Sequence, residues 1–327
     1  MPIHFLRIAL RSLVIGIAVL AIPFAAHAQA PYPNQSVRII VPYAPGGLPD
    51  TVARITGQHL QERIGQSVVI ENRAGGGAAA AVTALMGAPA DGYTFIVTDG
   101  SIVSTNPVIF KQLTYNPKDI VPVAMLGSTP LFLAAHPSLP VSTFREFIDY
   151  VKAHPGQVNY GSSGVGSAHH LSMEAVKAAL HLQMTHIPYR GTGQSVPALL
   201  GGHVQVLFSA YPSLVGAVES KKVKLLAHNG SGRSFQAPDV PPIADVIPGF
   251  DLTNIVGLFG KPGIPQAVLD KIAAEAVAAI NSPEAKRQFA AAGVETTGGN
   301  SAAFGKALQH EIDNVAAIAK SAGIEPQ

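Results

Sequence analysis

A chain of 327 residues with 47% hydrophobic and 13% charged residues can bury a large core, and its composition is not that of a disordered polymer. The formal charge of +2 comes without a Lys/Arg cluster or interleaved aromatic and basic residues, which argues against a nucleic-acid partner. The lack of cysteine excludes disulfides, thiol-ligated metals and a cysteine-borne lipid anchor.

The first residues read as an export signal. Arg7 and Arg11 precede an apolar run from Leu13 to Phe24, and Ala26-His27-Ala28 has the small–x–small pattern of a cleavage site, overlapped by Ala28-Gln29-Ala30. A spanning helix needs ~20 apolar residues, and Pro23 interrupts this run. Residues 1–28 are therefore expected to be a signal peptide cleaved near Ala28, leaving a mature chain in the periplasm.

Val37 to Val41 is a β-branched run of strand length. Pro42, Pro45, Gly46, Gly47 and Pro49 break the chain, and Val52, Ile55 and Leu60 then recur at helical spacing with Asp50 placed as the cap. A glycine loop feeding a helix leaves backbone N–H groups free, and the helix dipole favours an anion there, although a plain turn uses the same glycines. Ser67–Glu71, the Asn72–Gly77 loop and the Ala78–Met86 helix repeat the unit. A third strand, Thr94–Thr98, ends in the polar Asp99-Gly100-Ser101 facing the same cleft. Such alternation predicts a mainly parallel α/β sheet with ligands at the carboxyl ends of its strands.

From Ile120 the texture changes. Val121–Gly127 and Leu131–His136 are apolar runs, and Ser142 or Thr143 can cap a helix over Phe144–Ala153. Val158–Ser167 repeats the glycine–serine loop before a helix over Ala168–Leu180. Strands are expected at Thr185–Tyr189, His203–Phe208 and Lys222–His228, with a short helix over Ser195–Leu200. The chain crosses back near Asn254–Gly260, and helices over Gln266–Asn281, Pro283–Ala292 and Ser301–Ala322 are expected to pack on the first lobe. The organisation predicted is one lobe of residues 31–131 plus 254–327, a second of 132–253, and a cleft with anion-friendly loops on both walls.

Other chemistries are weaker. Gly164-Val165-Gly166 half-matches a dinucleotide fingerprint but lacks its third glycine and following acid, so no cofactor is expected. Ser162, Ser163 or Ser167 with His169 or His170 suggests a nucleophile and base, yet no nucleophile elbow is present. His169 and His170 point ~100° apart on a helix and cannot share a metal, while His181, His186 and His203 are scattered. Arg38, Arg73 and Arg190 sit at strand ends, where an anion or an ordinary ion pair would serve.

Taken in order, Pro42–Asp50, Glu71–Gly77, Ala90–Thr94, Tyr160–Leu171, His186–Gly191, Leu200–Gly202 and Pro238–Pro241 resemble the tripartite tricarboxylate transporter family of periplasmic solute-binding proteins, also called the Bug family. The resemblance runs from about residue 32 to the end. It implies an α/β, two-lobed type II periplasmic-binding-protein fold with a ligand cleft between the lobes. It also implies that the loops at Tyr43–Asp50 and Ser162–Ser167 hold the ligand's carboxylates through backbone N–H groups and waters. Ser209 stands where the family often has Asp, Ala78-Ala79-Ala80 replaces a stretch that often carries a further glycine, and the family's tryptophans near Ile255 and Asn314 are missing.

The resulting ligand-binding set is Tyr43, Pro45, Gly46, Gly47, Asp50, Gly75, Thr98, Ser101, Ser162, Ser163, Gly164, Ser167, His169, Tyr189 and Ser209, with no metal and no catalytic residue. The expected function is capture of a small carboxylate by a monomer and its delivery to membrane subunits of a tripartite tricarboxylate carrier. A ligand sensor working through a receptor, or a serine-dependent hydrolase, is the alternative.

Overall fold

The computed structural model describes residues 32–43, 45–74, 78–189, 191–324 and 326. The expected signal peptide, Gly75 and Arg190 lie outside the described residues. Strand β1, Val37–Val41, is the centre of the first lobe: Val37, Ile39, Ile40 and Val41 have no exposed surface, the burial of a strand covered on both faces. Helix α1 (Leu48–Ile64) and strand β2 (Val68–Asn72) follow, then α2 (Ala79–Gly87) and β3 (Thr94–Asp99), and both β2 and β3 pair parallel with β1. Two one-turn helices, α3 (Ser101–Ser104) and α4 (Asn106–Ile109), lie just beyond β3.

Strand β4, Val121–Thr129, is joined by Pro130 alone to β5, Leu131–Ala135, which belongs to a different sheet. Leu131 is thus the first residue of the second sheet. After α5 (Phe144–Ala153) come β6 (Asn159–Ser162), α6 (Ala168–Leu180), β7 (Thr185–Pro188), α7 (Thr192–Leu200), β8 (Val206–Ala210), α8 (Val215–Glu219) and β9 (Lys224–His228). This sheet runs β7-β6-β8-β5-β9, with β6 parallel to β7 and β8 and with β5 antiparallel to β8 and β9. The chain returns as β10 (Asn254–Gly260), α9 (Gln266–Ile280), α10 (Pro283–Ala291), β11 (Glu295–Gly299) and α11 (Ser301–Ala322). The first sheet closes in the order β11-β4-β10-β3-β1-β2, with β10 antiparallel between β3 and β4.

Three features depart from the sequence-based expectation. Strand β11 is one, since Glu-Thr-Thr-Gly-Gly carries no apolar alternation and owes its strand geometry to edge pairing with β4. The second is the start of α1, where Gly47 occupies the cap position and Asp50 sits inside the first turn. The third is α11, which the sequence alone places on the first lobe. Its Phe304 and Leu308 join the core of the first lobe with Ile40, Ile96 and Phe259. Its Val315 and Ile318 join the core of the second with Leu171, Tyr160 and Phe147. The last helix therefore straps the two lobes together.

Candidate ligand-binding site

The second-lobe wall is the β6–α6 turn. Ser167 caps α6: its Oγ accepts the His170 N–H at 3.3 Å and donates to the Gly164 carbonyl at 2.8 Å. Ser167 O accepts from Leu171 N at 2.9 Å. Of the donors that a helix start leaves unpaired, those of Ala168 and His169 have no acceptor among the described residues. Gly166 has φ +75°, and a Cβ there would overlap the Ile109 side chain of α4, so glycine lets the two lobes touch at this point. The Gly166 N–H is taken by His170 Nδ1 at 3.1 Å.

The first-lobe wall is the end of β3 with α3 and α4. The Asp99 carboxylate accepts the Tyr43 hydroxyl at 3.1 Å and the Ser101 N–H at 3.1 Å, and also the Ser101 hydroxyl. Across from it, Glu311 of α11 accepts from Ser104 Oγ at 2.6 Å. Gly100 gives that carboxylate its room, because a Cβ at Gly100 would overlap it.

Between these walls lies a cavity of about 650 Å³, lined from β3, α3, α4, the β6–α6 turn, the Asp251–Ile255 crossover and α11. Ile109, Phe110, Leu171, Leu252 and Val315 make much of its surface apolar. Three polar atoms of its lining are buried without a partner among the described residues: Ser163 Oγ, His169 Nδ1 and Glu311 Oε2. Burial pushes the His169 imidazole down to about 4, so it is neutral at pH 7. Burial pushes the Glu311 carboxyl up to about 7, with the Asp99 charge adding to the rise and the Ser104 hydroxyl opposing it. Asp99 is likewise raised by burial, against the bonds from Ser101 and Tyr43. Among the described residues, no Lys or Arg lines the cavity.

Of the expected ligand set, this cavity gathers Tyr43, Ser101, Ser163, Ser167 and His169. The other described members are not in its lining. Pro45, Gly46 and Gly47 are exposed, and one donor of their loop, the Gly46 N–H, is bound within the chain. Asp50 Oδ2 accepts the Gly46 N–H at 2.9 Å and Arg54 Nε at 3.0 Å, and its Oδ1 accepts from Asn72 Nδ2 at 2.8 Å. Burial raises the Asp50 carboxyl, but the bonds from Arg54, Gly46 and Asn72 outweigh it and hold the group below the usual carboxylate range. Thr98 and Ser209 are wholly buried in the two sheets. Tyr189 packs on the second lobe's other core, the cluster that includes Phe132, Leu199 and Leu207. Gly164 shapes the turn, its N–H bound to Ser162 Oγ.

Ser162 pairs with His186 Nε2 at 2.7 Å, a contact that resembles a nucleophile and base. Ser162 is 1% exposed and absent from the cavity lining, and its Oγ also donates to the Gly164 carbonyl at 3.1 Å. A substrate in the cavity does not reach that oxygen. Arg38 and Arg73 both pair with Glu71, at 3.5 and 2.6 Å. No group of metal-ligating side chains occurs among the described residues. Nor is any described helix long and apolar enough to cross a membrane.

The sequence reading placed Asp99 at the cleft but left it out of the ligand set, and it missed Glu311 altogether. A signal for Glu311 existed: it stands at one position of the stripe Phe304, Leu308, Glu311, Val315 and Ile318, whose other members are buried and apolar.

Two α/β lobes joined by crossovers, with a cavity between them at the start of a helix, define the class of two-lobed solute-binding proteins. Residues 52–324 match the family described as tripartite tricarboxylate transporter family receptor, and the chain belongs to that family. A relative in Bordetella pertussis, described as a UPF0065 protein, is 30% identical over 312 residues, 95% of this chain and 96% of its own length. The structure "R. palustris Rpa4515 with adipate" superposes with a TM-score of 0.77 at 30% identity, covering 90% of this chain and 100% of that one. MatC (Rpa3494) from Rhodopseudomonas palustris with bound malate gives 0.71 at 29% identity, covering 88% and 99%.

Proposed function

We propose that this chain is an exported, monomeric receptor that captures a small carboxylate and presents it to the membrane subunits of a tripartite tricarboxylate-type carrier. The lobes that close on the ligand are those expected from the sequence, residues 31–131 with 254–327 and residues 132–253, except that Leu131 goes with the second lobe as the first residue of β5. The observation that carries the reading is the pole at the start of α6. There the unpaired N–H groups of Ala168 and His169 and the unpartnered Ser163 hydroxyl face one cavity, and the helix dipole adds positive potential. Ser163 donates to the carboxylate, Ser167 holds the turn, and Tyr43 and Ser101 fix the opposite wall. Adipate and malate in the two related structures support an organic acid as the ligand. Ligand bound to both walls favours the closed arrangement by population shift.

A thermal-shift screen of mono-, di- and tricarboxylates and aromatic acids tests this. A ligand at a hundredfold its dissociation constant stabilises the fold by about 2.7 kcal/mol, which reads as a clear rise in Tm. The expected outcome is such a rise for at least one acid, with that acid recovered unchanged. Turnover of the acid, or no response to any acid, would overturn the proposal.

A further inference from the structure

The charge around the cavity does not suit a ligand that is anionic at both ends. The α6 pole offers neutral donors to one carboxylate. Beside uncharged groups such as Thr105, Asn106 and Asn254, and the His310 imidazole, the carboxyl groups of Asp99, Asp251 and Glu311 border the cavity, and neither Lys nor Arg does so among the described residues. His169 is neutral at pH 7 and so adds no charge against those acids. Asp251 is engaged by Thr253, whose N–H and Oγ1 lie at 3.1 and 2.6 Å. Asp99 holds Tyr43 and Ser101. Glu311 differs from both. Its Oε1 accepts from Ser104, while its Oε2 is buried and without a partner. A buried carboxylate oxygen with no donor is costly unless something in the cavity completes it.

We infer that the ligand is an amino acid of separated charge, with its carboxylate on the Ser163–His169 turn and a protonated amine on Glu311 and Asp99. This rests on the carboxylate reading above and adds the chemistry of the ligand's far end. An ammonium supplies the donor that Glu311 Oε2 lacks and neutralises the pair of acids facing it. A second carboxylate at that end meets like charge in a site sheltered from water. Between the two poles, Ile109, Phe110, Leu171 and Val315 fit a methylene chain.

The test is calorimetric titration of the wild-type chain at pH 7.5 with matched sets: 4-aminobutanoate, succinate and butanoate, then 6-aminohexanoate, adipate and hexanoate. The expected result is an ω-amino acid binding at least tenfold tighter than both its dicarboxylate and its unsubstituted partner. In Glu311→Gln that advantage falls at least tenfold. A dicarboxylate that binds as tightly as the matched amino acid, or an advantage unaltered in Glu311→Gln, overturns the inference and leaves the carboxylate reading standing. If no member of either set binds, the inference falls, and the wider thermal-shift screen decides the carboxylate reading. The wild-type comparison decides even where the variant does not fold.

Discussion

At the scale of single residues, two serines of one turn have different jobs. Ser163 Oγ is buried and unpartnered in the cavity, so Ser163→Ala is expected to weaken carboxylate binding by about 1–2 kcal/mol with little change in Tm. The Ser167 hydroxyl is spent on the α6 cap, so Ser167→Ala is expected to cost about 1 kcal/mol of stability and to weaken binding only through the turn. Calorimetry and thermal denaturation of both variants separate the two effects. Glu311 carries a pH prediction. Its folded pKa is raised to about 7 from an ordinary 4.5, so between those values the folded chain holds a proton that the unfolded chain has released. Stability is therefore lost as pH rises through that window, by up to roughly 3 kcal/mol, and the penalty stays above it. The groups facing Glu311 are Ser104 and Asp99 from the first lobe and His310 beside it on α11. Glu311→Gln should leave the ligand-free Tm unchanged near pH 4.5 and raise it near pH 8. Equal Tm differences at both values would show that the carboxyl titrates normally.

At the scale of elements, the helices of this chain are largely legible and their partners are not. Phe144–Ala153, Ala168–Leu180 and Ser301–Ala322 fall where capping residues and apolar spacing place them. Strand β1 is equally plain, because Val37, Ile39, Ile40 and Val41 are β-branched and sit between Ser36 and Pro42 as breakers. Strand β11 is illegible, since its register comes from β4 and not from its own side chains. Periodicity marks the apolar face of α11 but does not say that one half meets one lobe and one half the other. The Gly46–Gly47 loop is an anion cradle in its donors, as its glycines suggest. The Gly46 N–H, however, is taken by Asp50, four residues along the same chain. A motif shows that N–H groups are available; only the structure shows which oxygen reaches them. The strap predicts its own sensitivity. Phe304 is fully buried, its ring 4.9 Å from that of Phe259, and Phe304→Ala is expected to cost about 3–5 kcal/mol in denaturant unfolding. A loss below about 1 kcal/mol would mean that α11 is not anchored there.

At the scale of the whole molecule, the proposed capture needs two lobes that meet over the cavity, and Gly166 is a point where they touch. At φ +75° a side chain is strained, and a Cβ would strike Ile109. Gly166→Val is expected to fold and to lose at least tenfold in affinity by holding the walls apart. Retained affinity in a folded variant would show that this contact does not matter to closure. The proposed capture puts the ligand on donors that are backbone amides, and amide hydrogen exchange reads those amides directly. The exchange should be measured on the wild-type chain with and without the acid that the thermal-shift screen finds. The expected result is slowed exchange at Ala168 and His169, together with slowing over residues 99–106 and 307–315, the three stretches that border one cavity. Saturable binding with no slowing at Ala168 and His169 would contradict capture at the start of α6.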